Sequence, residues 1–233
     1  MTTRLLTRHE QVIRVRIPIA KSILQGDLRV ARNALGIVIF VHGSGSSRFS
    51  QRNQHVAAEL NKRGLSTLLV DLLTEEEQKI DAETMQYRFD IPFLVSRSTL
   101  AACWVRQQPE LTRLPIGLFG ASTGAAAALI TAAVMKHQIA AVVSRGGRPD
   151  LAEETLKMVE APTLLIVGGE DKTVLALNQQ AEGRLHCVKE LRVVPGATHL
   201  FEEPGALEQV VAVAGTWFVT HMQSYGLKQL AVG

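Results

Sequence analysis

Residues 115–134 read PIGLFGASTGAAAALITAAV, and this stretch decides the fold. IGLF is a short apolar run of the kind that forms a buried strand. AAAALITAAV has the length and the small side chains of a buried helix. Between them GASTG leaves room only for a sharp strand-to-helix turn. In such a turn the central residue takes a strained φ/ψ, and its neighbours two positions away are crowded until only small side chains fit. Gly120 and Gly124 meet that demand, and Ser122 would project its hydroxyl from the end of the strand. Chance supplies G-x-S-x-G in on the order of one chain in ten of this length, so the strand, turn, helix context carries the reading.

Outward from this unit the same order recurs, a strand-like run followed by a helix-like run, which marks a mostly parallel sheet. QVIRVRIPI and KSILQGDLRVA read as an opening antiparallel hairpin. GIVIFVHG, LSTLLVDLL, PIGLFGAS, IAAVVSRGG, PTLLIVGGED and KELRVVPGA follow as further strands. Helices are expected over RNQHVAAELNKRG, SRSTLAACWVRQQ, TGAAAALITAAVMKH, LAEETLKMV and VLALNQQAEGRL, with a last one from about 205 toward 225. Residues 74–88 read as a polar loop, after which Asp90 caps a helix that tolerates Pro92 in its first turn. The expectation is one α/β domain over 1–233, with roughly eight mostly parallel strands and six helices on both faces. Few residues separate IAAVVSRGG from LAEETLKMV, so no cap domain is expected there.

Composition narrows the function classes. The chain is 46% apolar and 20% charged, within the globular range. A net charge of +3 without any Lys/Arg block interleaved with aromatics gives no signature of nucleic-acid binding. The two cysteines, Cys103 and Cys187, form no C-x-x-C pair, and no histidine pair has metal-ligand spacing with a carboxylate, so neither a disulfide framework nor a metal is expected. MTTRLLTRHE lacks the apolar core of a secretion signal, and no apolar run reaches membrane-spanning length. The expectation is a cytoplasmic protein without membrane association.

In open parallel sheets ligands bind beyond the carboxyl ends of the strands, and the polar motifs of this chain fall there: HGSGSSR, GASTG, GGEDK and PGATH. A serine hydroxyl is a weak nucleophile unless a base takes its proton and an acid orients that base. With Ser122 as nucleophile, His199 in the loop before the last helix is the candidate base. Asp171 is the candidate acid, with Glu170 beside it as competitor. The backbone N–H groups of Thr123 and of Ser44, in the glycine loop 42–45, would stabilise an oxyanion. His42 reads as a residue that fixes this loop. Arg48, and Arg145 or Arg148 after a strand end, either hold an anionic substrate group or are surface arginines paired with Asp90 and Asp150. Phe49 and Tyr87 are candidates for the pocket wall.

On HGSGSSR, RNQHVAAELNKRGLSTLLVDLLTEEE, RFDIPFL, GASTG and VVSRGGRPDLA, the sequence resembles the α/β-hydrolase superfamily over nearly its whole length, and within it the dienelactone hydrolase-like branch. That resemblance implies a small lidless hydrolase that acts on an ester or lactone without a cofactor. True dienelactone hydrolases use a cysteine tuned by an acidic residue in the loop after the third strand. Here Ser122 takes that place and VHGSGSS holds no carboxylate, so another ester or lactone is the expected substrate. Acyl transfer or perhydrolysis by the same residues, or a ligand-binding sensor on the same fold, are the alternatives.

Overall fold

The computed structural model describes residues 11–232, with side chains described as far as 227. The stretch MTTRLLTRHE, read above for the lack of a secretion signal, lies outside the described residues. Eight strands form one sheet in the order β1-β2-β4-β3-β5-β6-β7-β8. They are β1 (Ile13–Ile19), β2 (Ser22–Arg29), β3 (Gly36–Val41), β4 (Leu65–Val70), β5 (Ile116–Ala121), β6 (Ile139–Arg145), β7 (Thr163–Gly168) and β8 (Lys189–Val194). The first two are antiparallel to their neighbours and the rest run parallel.

Why each strand sits where it does follows from its side chains. GIVIFV, LSTLLV, IGLFGA, IAAVVSR and TLLIVG are buried along their whole length, as strands covered by helices on both faces must be. The edge strand β1 instead alternates buried and exposed positions. The other edge, β8, carries Lys189, Glu190 and Arg192, charges that discourage pairing with another chain.

The helices are α1 (Gln51–Lys62), α2 (Glu75–Thr84), α3 (Ile91–Gln107), α4 (Thr123–Met135), α5 (Lys172–Arg184) and α6 (Ala206–Val232). Two apolar clusters divide the core. One lies between the sheet and α3, α4 and α5, and the other between the sheet and α1 and α6. Helix α4 is apolar around its whole circumference, as its central burial requires. Asp90 caps α3 by accepting the Phe93 N–H at 2.9 Å, as expected.

Two elements differ from the sequence reading. Residues 74–88 are no mere loop, because α2 occupies most of them, opened by a capping box in which Thr74 and Glu77 satisfy each other's backbone N–H. The stretch 149–158, read as a helix from Leu151, is a 3-10 segment broken at Glu153, whose φ is 47°. That segment is all that separates β6 from β7, so no cap domain enters there. Among the described residues no helix is long and apolar enough to cross a membrane.

Strand order reverses at β3: the chain moves from β3 outward to β4, then returns to place β5 on the other side of β3. Crossovers leaving adjacent strands in opposite directions open a crevice at their carboxyl ends. Val41 pairs with Gly120 there, so the loop beginning at His42 and the turn at Ser122 meet.

Candidate active site

Ser122 has φ 51° and ψ −125°, a strained conformation for a residue with a Cβ. Its backbone is pinned on both sides. The Ser122 N–H donates to the Arg145 carbonyl at 3.3 Å, and the Ser122 carbonyl accepts from Ala125 at 3.0 Å and Arg148 at 3.1 Å. The glycines two positions away are demanded by close approach. A Cβ on Gly120 would lie 2.4 Å from the Ala125 Cα, and one on Gly124 would lie 2.2 Å from the Val41 carbonyl oxygen. The small-residue pattern read from the sequence is therefore a backbone-to-backbone contact.

Asp171 and His199 arrive from neighbouring parts of the sheet. Asp171 follows β7 after the two glycines, and His199 lies in the loop after β8. The His199 Nδ1 and the Asp171 Oδ2 are 2.6 Å apart. The other Asp171 oxygen accepts the Val174 N–H at 3.4 Å and so caps α5. Glu170, the competing acid, instead lies 3.5 Å from Lys172 with its side chain 56% exposed. The position of the imidazole follows from Gly146, which comes directly after Arg145 at the end of β6. A Cβ there would stand 3.6 Å from the His199 Cε1. Arg145 pairs with Ala121, the residue before Ser122, so Gly146 and the imidazole it adjoins lie at the same end of the sheet as the serine.

The loop after β3 lies against Ser122 from the other side, where a Cβ on Gly43 would be 2.9 Å from the Ser122 Cβ. His42 fixes this loop, as expected: its Nδ1 is 2.9 Å from the Gly43 carbonyl, and its Nε2 accepts the Leu72 N–H at 3.1 Å. Burial holds its pKa below the ordinary histidine value, against the opposing pull of the Gly43 carbonyl and the Asp71 carboxylate. The Thr123 N–H opens α4 and has no acceptor within its helix. The Ser44 N–H, expected to face a developing oxyanion, donates to the Thr123 hydroxyl at 2.9 Å. That hydroxyl must yield before both amides can serve one oxygen.

A cavity of about 250 Å³ opens beside this loop, walled by Gly43, Ser44, Gly45, Gln78, Asp81 and Arg88, among others. Arg48 and Arg145 do not line it. Arg48 turns back to Asp71, to which both its backbone N–H and its guanidinium are joined, and its Nε lies 3.7 Å from Asp27. Arg148 forms a two-point pair with Asp150 at 2.9 and 2.7 Å. Phe49 is 57% exposed and stacks under the Arg48 guanidinium. Tyr87 packs on Phe93.

The arginine that reaches the cavity is Arg88, which the sequence reading passed over as the end of a loop. Its Nε donates to the Asp81 Oδ2 at 2.6 Å and its Nη2 to the Asp81 carbonyl at 2.8 Å, which leaves Nη1 beside Gly45. Burial raises the Asp81 pKa, but hydrogen bonds from Arg88 and Tyr87 outweigh it and hold the carboxyl below its ordinary value. The signal available in sequence was Thr74-x-x-Glu77, which starts the helix that carries Asp81. Among the described residues no group of three or more His, Cys, Asp or Glu could hold a metal ion.

The sheet order, the elbow at Ser122 and the carboxylate-imidazole pair at successive strand ends define an α/β hydrolase. Residues 25–221 match the dienelactone hydrolase family, and the chain belongs to it. It is 50% identical to the crystal structure of a dienelactone hydrolase from Anabaena variabilis, with a TM-score of 0.89 over 91% of this chain and 98% of that one. Est1E from Butyrivibrio proteoclasticus shares the fold at 15% identity, with a TM-score of 0.73 over 94% of this chain and 99% of that one. The chain is also 52% identical, over 91% of its length, to Mycobacterium tuberculosis proteins named "putative phosphoribosyl transferase". It spans 46% of the length of those relatives.

Proposed function

We propose that this protein is a cytoplasmic serine hydrolase that cleaves a small carboxylic ester or lactone through an acyl-enzyme. The observation that carries the reading is the 2.6 Å contact between the His199 Nδ1 and the Asp171 Oδ2, taken together with the strained turn at Ser122. Asp171 keeps the proton on Nδ1 and leaves Nε2 free to act as base. The Ser122 Oγ attacks the carbonyl carbon as Nε2 takes its proton, and the carbonyl oxygen takes the negative charge beside the Thr123 N–H. Collapse breaks the bond to the leaving alcohol, which receives that proton from His199; in a lactone the alcohol stays tethered. Water then attacks the acyl-enzyme by the same relay and regenerates Ser122.

The acyl or alcohol portion occupies the cavity of about 250 Å³, whose volume favours a small substrate. Arg88, oriented by Asp81 with Nη1 directed at the cavity wall, favours one that carries a carboxylate. Ser122→Ala should lose at least about 1,000-fold in kcat on a p-nitrophenyl ester, as removal of a triad nucleophile does, and should no longer react with a fluorophosphonate probe. Retained turnover would sink the mechanism. Arg88→Met should raise KM for a carboxylate-bearing ester more than for its neutral analogue.

A second reading rests on the relatives named as phosphoribosyl transferases, of which this chain covers less than half. In that reading the hydrolase unit works beside a phosphoribosyl-transferring one. Incubation with an activated phosphoribosyl pyrophosphate donor and a nitrogenous base, with assay for released pyrophosphate and ribosylated base, separates the two.

A further inference from the structure

Arg145, the last residue of β6, points away from the cavity into the face of the sheet covered by α1 and α6. It is 8% exposed, and its Nη1 is buried with no hydrogen-bond partner. Its guanidinium lies 5.9 Å from the centroid of the Phe119 ring, a cation–π contact at the edge of its range that gives Nη1 no hydrogen-bond acceptor. The charge that bears on it is Arg52, which is of the same sign. Burial first, and the Arg52 guanidinium second, lower the Arg145 pKa to about 10, so it keeps its proton at neutral pH.

Arg52 is oddly placed as well. It occupies the first turn of α1, where the helix dipole is already positive and where no acidic residue stands. Its Nε is buried without a partner. Its Nη1 is held from outside by Glu202, 63% exposed, at 2.7 Å. Two guanidinium groups thus bear on each other, one of them in the first turn of a helix, with a buried nitrogen of each left unsatisfied and no carboxylate paired with Arg145 among the described residues. Native proteins do not leave a buried charge unpaired without compensation.

We propose that Arg145 and Arg52, with the N-terminus of α1, form a binding site for a tetrahedral phosphate oxyanion. The site lies across the sheet from the Arg88 cavity and beneath the loop that carries His199. Two neighbouring guanidinium groups suit a doubly charged oxyanion, and the first-turn N–H groups of α1 that the Ser50 cap leaves free offer it further donors. Glu202 is the internal competitor that occupies Arg52 when the site is empty. The oxyanion has two possible sources, free inorganic phosphate or the phosphate of an ester substrate. Oxyanion binding here does not require hydrolysis at Ser122, so failure of the serine mechanism and failure of this site are distinguishable.

The test is thermal unfolding of the full chain in inorganic phosphate against chloride at matched ionic strength, with titration calorimetry for Kd. The wild type should gain roughly 5 °C in Tm at phosphate concentrations about 100-fold above Kd. Arg145→Met should lose that gain and, without phosphate, melt no lower than the wild type, because a buried unpaired charge has been removed. Arg52→Gln, at the helix surface, should weaken binding at least about tenfold, since a close charge is lost. Glu202→Gln should tighten it. Should Arg145→Met fail to fold, the Arg52 and Glu202 variants carry the test. A wild-type Tm indifferent to phosphate, or a gain that persists in Arg52→Gln, overturns the proposal. Inorganic phosphate that competes with a phosphate-bearing ester identifies a substrate subsite; phosphate that binds without competing identifies the free ion as the ligand.

Discussion

His42 should make the stability of this protein fall as the solution is acidified through pH 6.5, and the size of the effect follows from its two bonds. The Leu72 N–H donates to Nε2, so that nitrogen carries no proton; the proton sits on Nδ1, where it is donated to the Gly43 carbonyl. Only the neutral ring satisfies both partners. Burial pulls the folded pKa below the ordinary 6.5, while the unfolded chain takes up a proton near that value. The contribution to stability is therefore fully present above pH 6.5 and is lost as pH falls through the folded pKa. For one proton the slope reaches about 1.4 kcal/mol per pH unit. His221, whose pKa burial also lowers, adds a slope of the same sign that a variant at position 42 leaves in place. In His42→Gln the geometry at Leu72 is spoiled, at a cost of about 1–3 kcal/mol at pH 8. That deficit should shrink by up to about 2 kcal/mol between pH 6.5 and 5, because the variant has no imidazole to keep neutral. Urea denaturation of both proteins across pH 8 to 5 reads this directly. A deficit constant across the range would refute the neutral clamp.

Two further outcomes concern the turn and the oxyanion donors. Gly124→Ala places a Cβ 2.2 Å from one backbone oxygen and 2.4 Å from the next, neither of which can step aside, so a loss of about 2 kcal/mol or more is expected from overpacking, read as a drop in the urea midpoint. Thr123→Ala removes the hydroxyl that occupies the Ser44 N–H; kcat on a neutral ester should hold or rise, and a fall beyond about 100-fold would mean that the hydroxyl itself donates to the oxyanion.

Strands β3 to β7 were legible because each is a run of apolar residues buried on both faces, and runs of that kind need no knowledge of their neighbours. Ser122 and Asp171 were picked out for a related reason, since each stands just past the end of such a run, whereas His199 was picked out as the histidine in the loop before the last helix. Helix α2 was missed because its only buried residue is Asp81 and no apolar stripe marks it, although Thr74 and Glu77 announce its start. The arginines show where local reading stops. Arg48 stands in the glycine loop yet faces Asp71, and Arg88 stands in an unremarkable polar stretch yet reaches the cavity. Both directions are set by carboxylates on other segments, which sequence proximity does not reveal. The Ser44 N–H was likewise assigned from its loop alone, while its acceptor comes from the start of α4.

Asp171 divides its two oxygens between a helix and a ring. One accepts the Val174 N–H at the start of α5 and the other meets His199. The imidazole is therefore aimed by a helix of thirteen residues packed on the sheet, and only secondarily by the loop on which it stands. Loops near the site can vary in sequence and length without losing that aim, whereas a change that shifts the start of α5 would misdirect the ring from a distance.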